Sequence, residues 1–305
     1  MTAAISADGI RQRYGDVLAV DGVSLTVETG EFYGILGPNG AGKTTTMEIL
    51  EGVRKPDEGR VELLGTAPWP RNPKLLPRIG VQFQASAFFR KLTARETIRT
   101  FASFYGVGPR RADAMLERVG LSDKAGTLTD QMSGGQAQRL SIACALAHDP
   151  ELVFLDEPTT GLDPQARRNL WDLLRDINAE GRTVVLTTHY LDEAEVLCDR
   201  VSIMDHGKVL HTGAPAALIR EIDDTVRISV ASGQLPVERA RDLLAAAGAD
   251  IATLEDDTVS LSVSTRIPGP VLGVLAEQNA LRGLEVRGAT LEDVFLQLTG
   301  REFRA

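Results

Sequence analysis

Four short stretches of this chain are apolar almost without interruption: IGVQF at 79–83, LVFLD at 152–156, TVVLTT at 183–188 and VSIMD at 201–205. A strand with one wet face alternates polar and apolar residues, whereas a strand covered on both faces does not. These runs therefore predict the buried strands of a parallel sheet, and helical patterns alternate with them as its crossovers require. VSLTV (23–27) and EFYGIL (31–36) flank Glu28-Thr29-Gly30 and predict a hairpin. Two helices carry signals at their ends. Asp163 is placed as a cap, Pro164 opens the first turn and Gly181 follows the last apolar residue. Thr93-Ala-Arg-Glu96 is a capping box that predicts a helix to about Phe104, with Ile98, Phe101, Ala102 and Tyr105 as its core stripe and Arg95 and Arg99 opposite.

Beyond Ile222 the pattern changes. Strands are predicted at 225–231, 250–255, 258–264 and 284–288, with helices at 236–247, 270–279 and 291–299. The order β-α-β-β-α-β plus a helix predicts a small ferredoxin-like α+β domain. The expected organisation is one large domain over 1–222 and an accessory domain over 223–305.

Composition narrows the partners. The chain of 305 residues has 33 Lys and Arg against 42 Asp and Glu, a formal charge of −9, which argues against nucleic acid. The opening MTAAISADG lacks the basic start and apolar core of a secretion signal. No apolar segment approaches the ~20 residues that span a bilayer, so no direct lipid insertion is expected. Cys144 and Cys198 lie in apolar helical contexts and read as buried free thiols, in keeping with a reducing compartment.

Three motifs carry chemistry. Residues 37–44 read GPNGAGKT, placed between a predicted strand and the helix TTTMEIL. In G-x-x-x-x-G-K-[ST] the glycines let the backbone wrap phosphate, here with Gly37, Pro38, Asn39, Gly40, Ala41 and Gly42 in the loop. Lys43 reaches the β- and γ-phosphates and Thr44 can ligate Mg²⁺, with Thr45 following. LVFLDE ends a buried strand with Asp156, a candidate for the Mg²⁺ shell, and Glu157, which is left to orient or deprotonate a water. MSGGQ places Ser133, Gly134, Gly135 and Gln136 at a helix entrance, where unpaired backbone N–H groups favour an anion.

Together these residues resemble the ATP-binding cassette family over roughly residues 4 to 220. GPNGAGKT resembles its phosphate loop, LVFLDE its second nucleotide motif and MSGGQ its signature, with Met132 in place of the usual leucine. Gln84, Asp163 and His189 fall in the order of its Q-loop, D-loop and switch histidine, although Ala85-Ser86 replace the common acidic residue and proline. Tyr14 matches the aromatic that stacks on adenine. The resemblance implies a P-loop NTPase cassette with a mixed, mainly parallel sheet, an antiparallel β subdomain and a helical subdomain at about 85–148. It implies ATP and Mg²⁺ as cofactors, with Thr44, Gln84 and Asp156 at the metal and Glu157, His189, Lys43 and Gln84 in catalysis. It also implies a head-to-tail homodimer, or a pair with a similar ATPase, in which Ser133 and Gly135 of one copy cover ATP held by Lys43 of the other.

A cassette without membrane spans is expected to drive a separate transmembrane permease from the cytoplasmic face of the plasma membrane. The segment FFRKLTARETIRTF (88–101), next to Gln84, is the candidate docking site for that permease's cytoplasmic helix. GATLEDVFLQLTG (288–300) resembles the ending of drug, lipid and polymer export ATPases of the daunorubicin-resistance type. The competing expectation is a soluble cassette acting on ribosomes or chromosomes; the coiled-coil insertion, zinc modules or second cassette typical of those proteins are not found in this sequence.

Overall fold

The computed structural model describes residues 3–82, 88–89, 91–222, 225–256 and 259–299. The chain divides into two compact units, one up to Pro215 and one from Ala216, close to but not at the boundary expected after Ile222. Among the described residues no helix is long and apolar enough to cross a membrane.

The first unit runs β1 (Ala3–Tyr14), β2 (Val17–Glu28), β3 (Phe32–Leu36), α1 (Lys43–Leu50), β4 (Glu58–Leu63), β5 (Ile79–Gln82), α2 (Ala94–Phe104), α3 (Pro109–Arg118) and α4 (Gly134–Leu146). It continues with β6 (Leu152–Asp156), α5 (Pro164–Ala179), β7 (Thr183–Thr188), α6 (Leu191–Leu197), β8 (Arg200–Asp205) and β9 (Lys208–Gly213). The six-stranded sheet has the order β5-β6-β7-β3-β8-β9 and is parallel up to β8, with β9 antiparallel at the edge. All four uninterrupted apolar runs supply its strands, and β6 and β7 are buried at every position. A second, antiparallel sheet has the order β2-β1-β4. Ile5, Val20, Met47, Leu50, Phe154 and Met204 belong to the core cluster that joins the two sheets through α1.

The expected hairpin of VSLTV with EFYGIL does not form. β2 pairs with β1, and its burial alternates as a one-sided strand requires. All five residues of β3 are buried, and β3 enters the other sheet between β7 and β8. The turn at Gly30 (φ +81°) instead hands the chain from one sheet to the other, where the Gly30 N–H donates to Thr183 Oγ1 at 2.9 Å. A strand covered on both faces is more stable inside a sheet than at the end of a ribbon.

The capping box at Thr93 forms: Thr93 Oγ1 accepts from the Glu96 N–H, and the Glu96 carboxylate accepts from the Thr93 N–H. The stripe on α2 differs from expectation. Ala94, Thr97, Ile98 and Ala102 are buried, while Phe101 is half-buried and Tyr105, just past the helix, is exposed. Arg99 pairs with Asp113 of α3 at 2.5 Å and Arg95 approaches the same carboxylate at 3.8 Å, so the basic face clamps two helices of the chain together.

In the second unit α7 (Pro215–Ile222) leads into β10 (Val226–Ala231), α8 (Val237–Ala246), β11 (Ile251–Asp256), β12 (Ser260–Thr265), α9 (Pro268–Glu277), β13 (Glu285–Gly288) and α10 (Leu291–Thr299). The sheet order is β11-β12-β10-β13 and every pairing is antiparallel. Ile228, Val230, Leu244, Leu261, Val263 and Val271 belong to the core that the sheet shares with α8 and α9.

Candidate nucleotide site

The loop 37–42 joins β3 to α1 and presents the helix N-terminus, where unpaired N–H groups and the helix dipole favour phosphate. Its shape depends on glycine. A Cβ on Gly42 (φ +97°) would lie 2.3 Å from the Ala19 carbonyl oxygen, and one on Gly37 would lie 2.4 Å from that of Met204. Asn39 and Gly40 are exposed at the tip. The Gly207 N–H donates to the Ala41 carbonyl at 3.0 Å and ties the loop to the β8–β9 turn. Lys43 is 5% exposed, and its ammonium donates to the carbonyls of Gly37 at 2.9 Å and Pro38 at 3.2 Å. Burial lowers its pKa, and the Glu157 carboxylate 3.4 Å away acts against that shift. Thr44 is exposed and Thr45 half-buried on the first turn.

Asp156 and Glu157 stand at the end of β6, both buried. Thr187 on the neighbouring strand β7 holds the pair: its hydroxyl donates to Asp156 Oδ1 and accepts from the Glu157 N–H at 3.0 Å. Burial raises the Asp156 pKa, partly countered by bonds from Thr187 and Thr44 and by the charge of Lys43. Glu157 has φ +47°, a left-handed backbone that costs a non-glycine residue about 1–3 kcal/mol and is held here by the surrounding bonds. Its carboxylate lies between Lys43, the Thr160 hydroxyl at 3.2 Å and His189 Nδ1 at 3.2 Å. Burial alone would raise its pKa; the charges of Lys43 and His189 outweigh that and hold it below the ordinary value. It is thus an ionised carboxylate beside the phosphate loop.

The structure brings Lys43, Thr44, Asp156, Glu157 and His189 into one cluster. The other expected residues are placed as follows. Tyr14 ends β1, exposed, with the Arg54 guanidinium 5.0 Å from its ring centre. Ser133 and Gln136 form a reciprocal capping box at the start of α4, with Gly134 exposed between them. Asp163 caps α5 by accepting from the N–H groups of Gln165 and Ala166 at 3.0 and 2.9 Å. Gln84 and Arg90 lie outside the described residues. Thr160 and Thr187 were not foreseen, although a hydroxyl at the end of the apolar run TVVLTT was a usable signal.

At the end of α1 away from the phosphate loop lies a groove of about 700 Å³, lined by Glu51, Trp69, Leu75, Phe101, Tyr105 and His148 among others. The Tyr105 and His148 rings stack with centres 3.8 Å apart, and His148 Nε2 lies 2.9 Å from the Ile79 carbonyl. Phe88 adds to the wall, while Phe89 and Phe104 are exposed.

A glycine-shaped loop on a helix N-terminus, a buried lysine and a strand-end Asp-Glu pair define a P-loop nucleotide hydrolase. The comparisons refine that class. The family described as "ABC transporter" matches residues 20–160. A relative named Nod factor export ATP-binding protein I, from Burkholderia lata, is 39% identical over 99% of both chains. A protein of the same name from Sinorhizobium fredii is 40% identical over 99% of this chain and 87% of its own. Among solved structures, a dimeric ATP-binding cassette in a post-hydrolysis state bound to ADP and Pi superposes with a TM-score of 0.64 at 29% identity, covering 69% of this chain and 98% of that one. The chain belongs to the ABC transporter family, as one of its ATP-binding and hydrolysing subunits.

Proposed function

We propose that this chain energises export by a separate membrane permease, closing as a dimer around two ATP molecules and reopening on hydrolysis. The observation that carries the reading is the Glu157 carboxylate, held ionised 3.4 Å from Lys43 and 3.2 Å from His189. Lys43 and the backbone N–H groups of Gly40 and of residues 42–45 bind the β- and γ-phosphates, and Tyr14 stacks on adenine. Glu157 takes the proton of the attacking water, while His189 holds the γ-phosphate side of the pocket and Asp163 borders it. Thr44 and Asp156 present the hard oxygen donors that suit Mg²⁺, with Gln84 assigned the same shell by resemblance. Held by these donors, the ion would supply positive charge to offset that of the phosphates.

The dimeric cassette among the similar structures supports a dimer; the resemblance makes it head-to-tail, with Ser133–Gln136 of one copy meeting ATP on the other. The apolar groove and the exposed Phe89, Phe104 and Tyr105 beside it form the docking surface for the permease's cytoplasmic helix. This revises the docking expectation: Phe88, Phe101 and Tyr105 line the groove, while Arg95 and Arg99 are occupied by Asp113. Attachment through a permease places the subunit at the cytoplasmic face of the membrane. The relatives' names carry export rather than drug resistance, and they favour the exporter over a ribosome or chromosome factor.

The test is Glu157→Gln, which keeps shape and removes the base. ATP affinity should persist, turnover should fall about 10²–10⁴-fold, and ATP-bound dimers should accumulate in light scattering. Normal turnover would remove Glu157 from the mechanism.

A further inference from the structure

Glu51 follows α1 directly, so the helix that begins at the phosphate loop with Lys43 ends at the floor of the groove, about 12 Å away at 1.5 Å per residue. The residue is 6% exposed. Among the described residues its carboxylate has no hydrogen-bond or ion-pair partner; Asp156 and Glu48 act on it with charges of its own sign, and Arg71, exposed, lines the same groove. Two more polar atoms of the groove residues, Trp69 Nε1 and His148 Nδ1, are buried without a partner. Buried polar groups in folded proteins are almost always paired, so these two unpaired atoms, beside the carboxyl that Glu51 presents to the same cavity, call for an occupant.

Chemistry selects that occupant. Burial keeps a proton on Glu51, and a cation seated against the carboxyl, favoured by the negative potential at the C-terminal end of α1, displaces that proton to solvent and leaves an ion pair. The walls are apolar and aromatic, with Trp69, Phe101 and Tyr105, so the cation must arrive on a long apolar stem and present a flat, weakly hydrated face. A guanidinium meets those conditions better than an ammonium, because it stacks on aromatic rings and is less costly to strip of water. Resting on the docking reading above, we propose that the permease's cytoplasmic helix inserts one arginine, flanked by apolar residues, into this groove and pairs it with Glu51. The pair joins the permease to the helix that carries the phosphate-binding lysine.

The full chain is tagged and purified in mild detergent from cells that carry its gene, and membrane-spanning proteins recovered with it are identified and quantified. Glu51→Gln should retain ATP binding yet recover the permease with an affinity lower by about 30-fold or more, the loss typical of removing one partner from a buried charge pair. Glu48→Gln, which alters the neighbouring acid outside the groove, should recover it as the unmodified chain does. Charge reversal closes the argument: Glu51→Lys should fail to assemble, and one arginine-to-glutamate change in the permease should restore assembly. If Glu51→Gln assembles within about threefold of the unmodified chain while Tyr105→Glu, at the groove wall, does not, the arginine anchor is wrong and the docking surface stands. If the unmodified chain recovers no membrane protein, or Tyr105→Glu assembles normally, the docking reading fails and this inference with it.

Discussion

Replacing Glu51 by glutamine keeps the shape of the side chain and removes its proton, so it should change how stability depends on pH. Burial, with Asp156 and Glu48 nearby, pushes the Glu51 carboxyl from 4.5 up to about 9. Between those values the folded protein keeps a proton that the unfolded chain has released, so stability falls as pH rises through this window. Each pH unit costs about 1.4 kcal/mol, which comes to about 3 kcal/mol between pH 6 and pH 8, capped by the cost of letting water into the groove. Asp156 and Glu193, whose pKa values are also raised by burial, add slopes of the same sign, and the difference between the two proteins removes them. Both tryptophans, Trp69 and Trp171, belong to the first unit, so their fluorescence reports its unfolding alone. In urea, without nucleotide and with a chelator, Glu51→Gln should shift the midpoint upward at both pH values, by about 1 M more at pH 8 than at pH 6 for an m-value near 3 kcal/mol per M. An equal shift at both would mean that Glu51 titrates as an ordinary carboxyl and that its burial carries no charge penalty.

Two further outcomes follow from the nucleotide site. Thr187→Val leaves Asp156 and the Glu157 N–H each short of one bond, which should cost about 1–3 kcal/mol, lower the melting temperature of the first unit by several degrees and reduce ATP turnover; unchanged turnover would make Thr187 dispensable for positioning the pair. Gly42→Ala should abolish nucleotide binding in a fluorescent ATP titration, since its Cβ would meet the Ala19 carbonyl oxygen at 2.3 Å on a backbone with φ +97°; retained affinity would show that the loop tolerates a shifted backbone.

How far the sequence could be read depended on the range of the interactions. Uninterrupted apolar runs mark strands covered on both faces, so the parallel sheet was legible, as were the caps at Thr93 and Asp163, whose bonds span two or three residues. EFYGIL was misplaced because a short turn shows that the chain changes direction and not which sheet receives it. Phe101 and Tyr105 have the spacing of a core stripe and face a groove instead, since the opposing wall, including Trp69 and His148, comes from distant parts of the chain. Glu51 was illegible for the same reason: in EILEG it reads as a solvated acid at a helix end, and only the fold buries it. The left-handed backbone of Glu157 had no sequence signal, because the bonds that hold it come from Thr187 on another strand.

Ser-Gly-Gly at the start of α4 could serve as a helix cap or as a grip on phosphate, and the geometry makes the two compatible. Four N–H groups at a helix entrance lack intrahelical partners. Here the capping box takes two of them, with Gln136 Oε1 accepting from the Ser133 N–H at 3.0 Å and Ser133 Oγ accepting from the Gln136 N–H at 3.3 Å. The N–H groups of Gly134 and Gly135 remain without a protein acceptor among the described residues. Ser133 uses an oxygen lone pair in the cap, so its hydroxyl proton is still free to donate. The cap therefore fixes the loop while leaving one hydroxyl and two amides at a single helix end, the donors that the proposed dimer needs for the γ-phosphate of the other copy. Gln136 holds this arrangement from the first turn, because its side-chain oxygen keeps the Ser133 N–H and thereby the orientation of the serine.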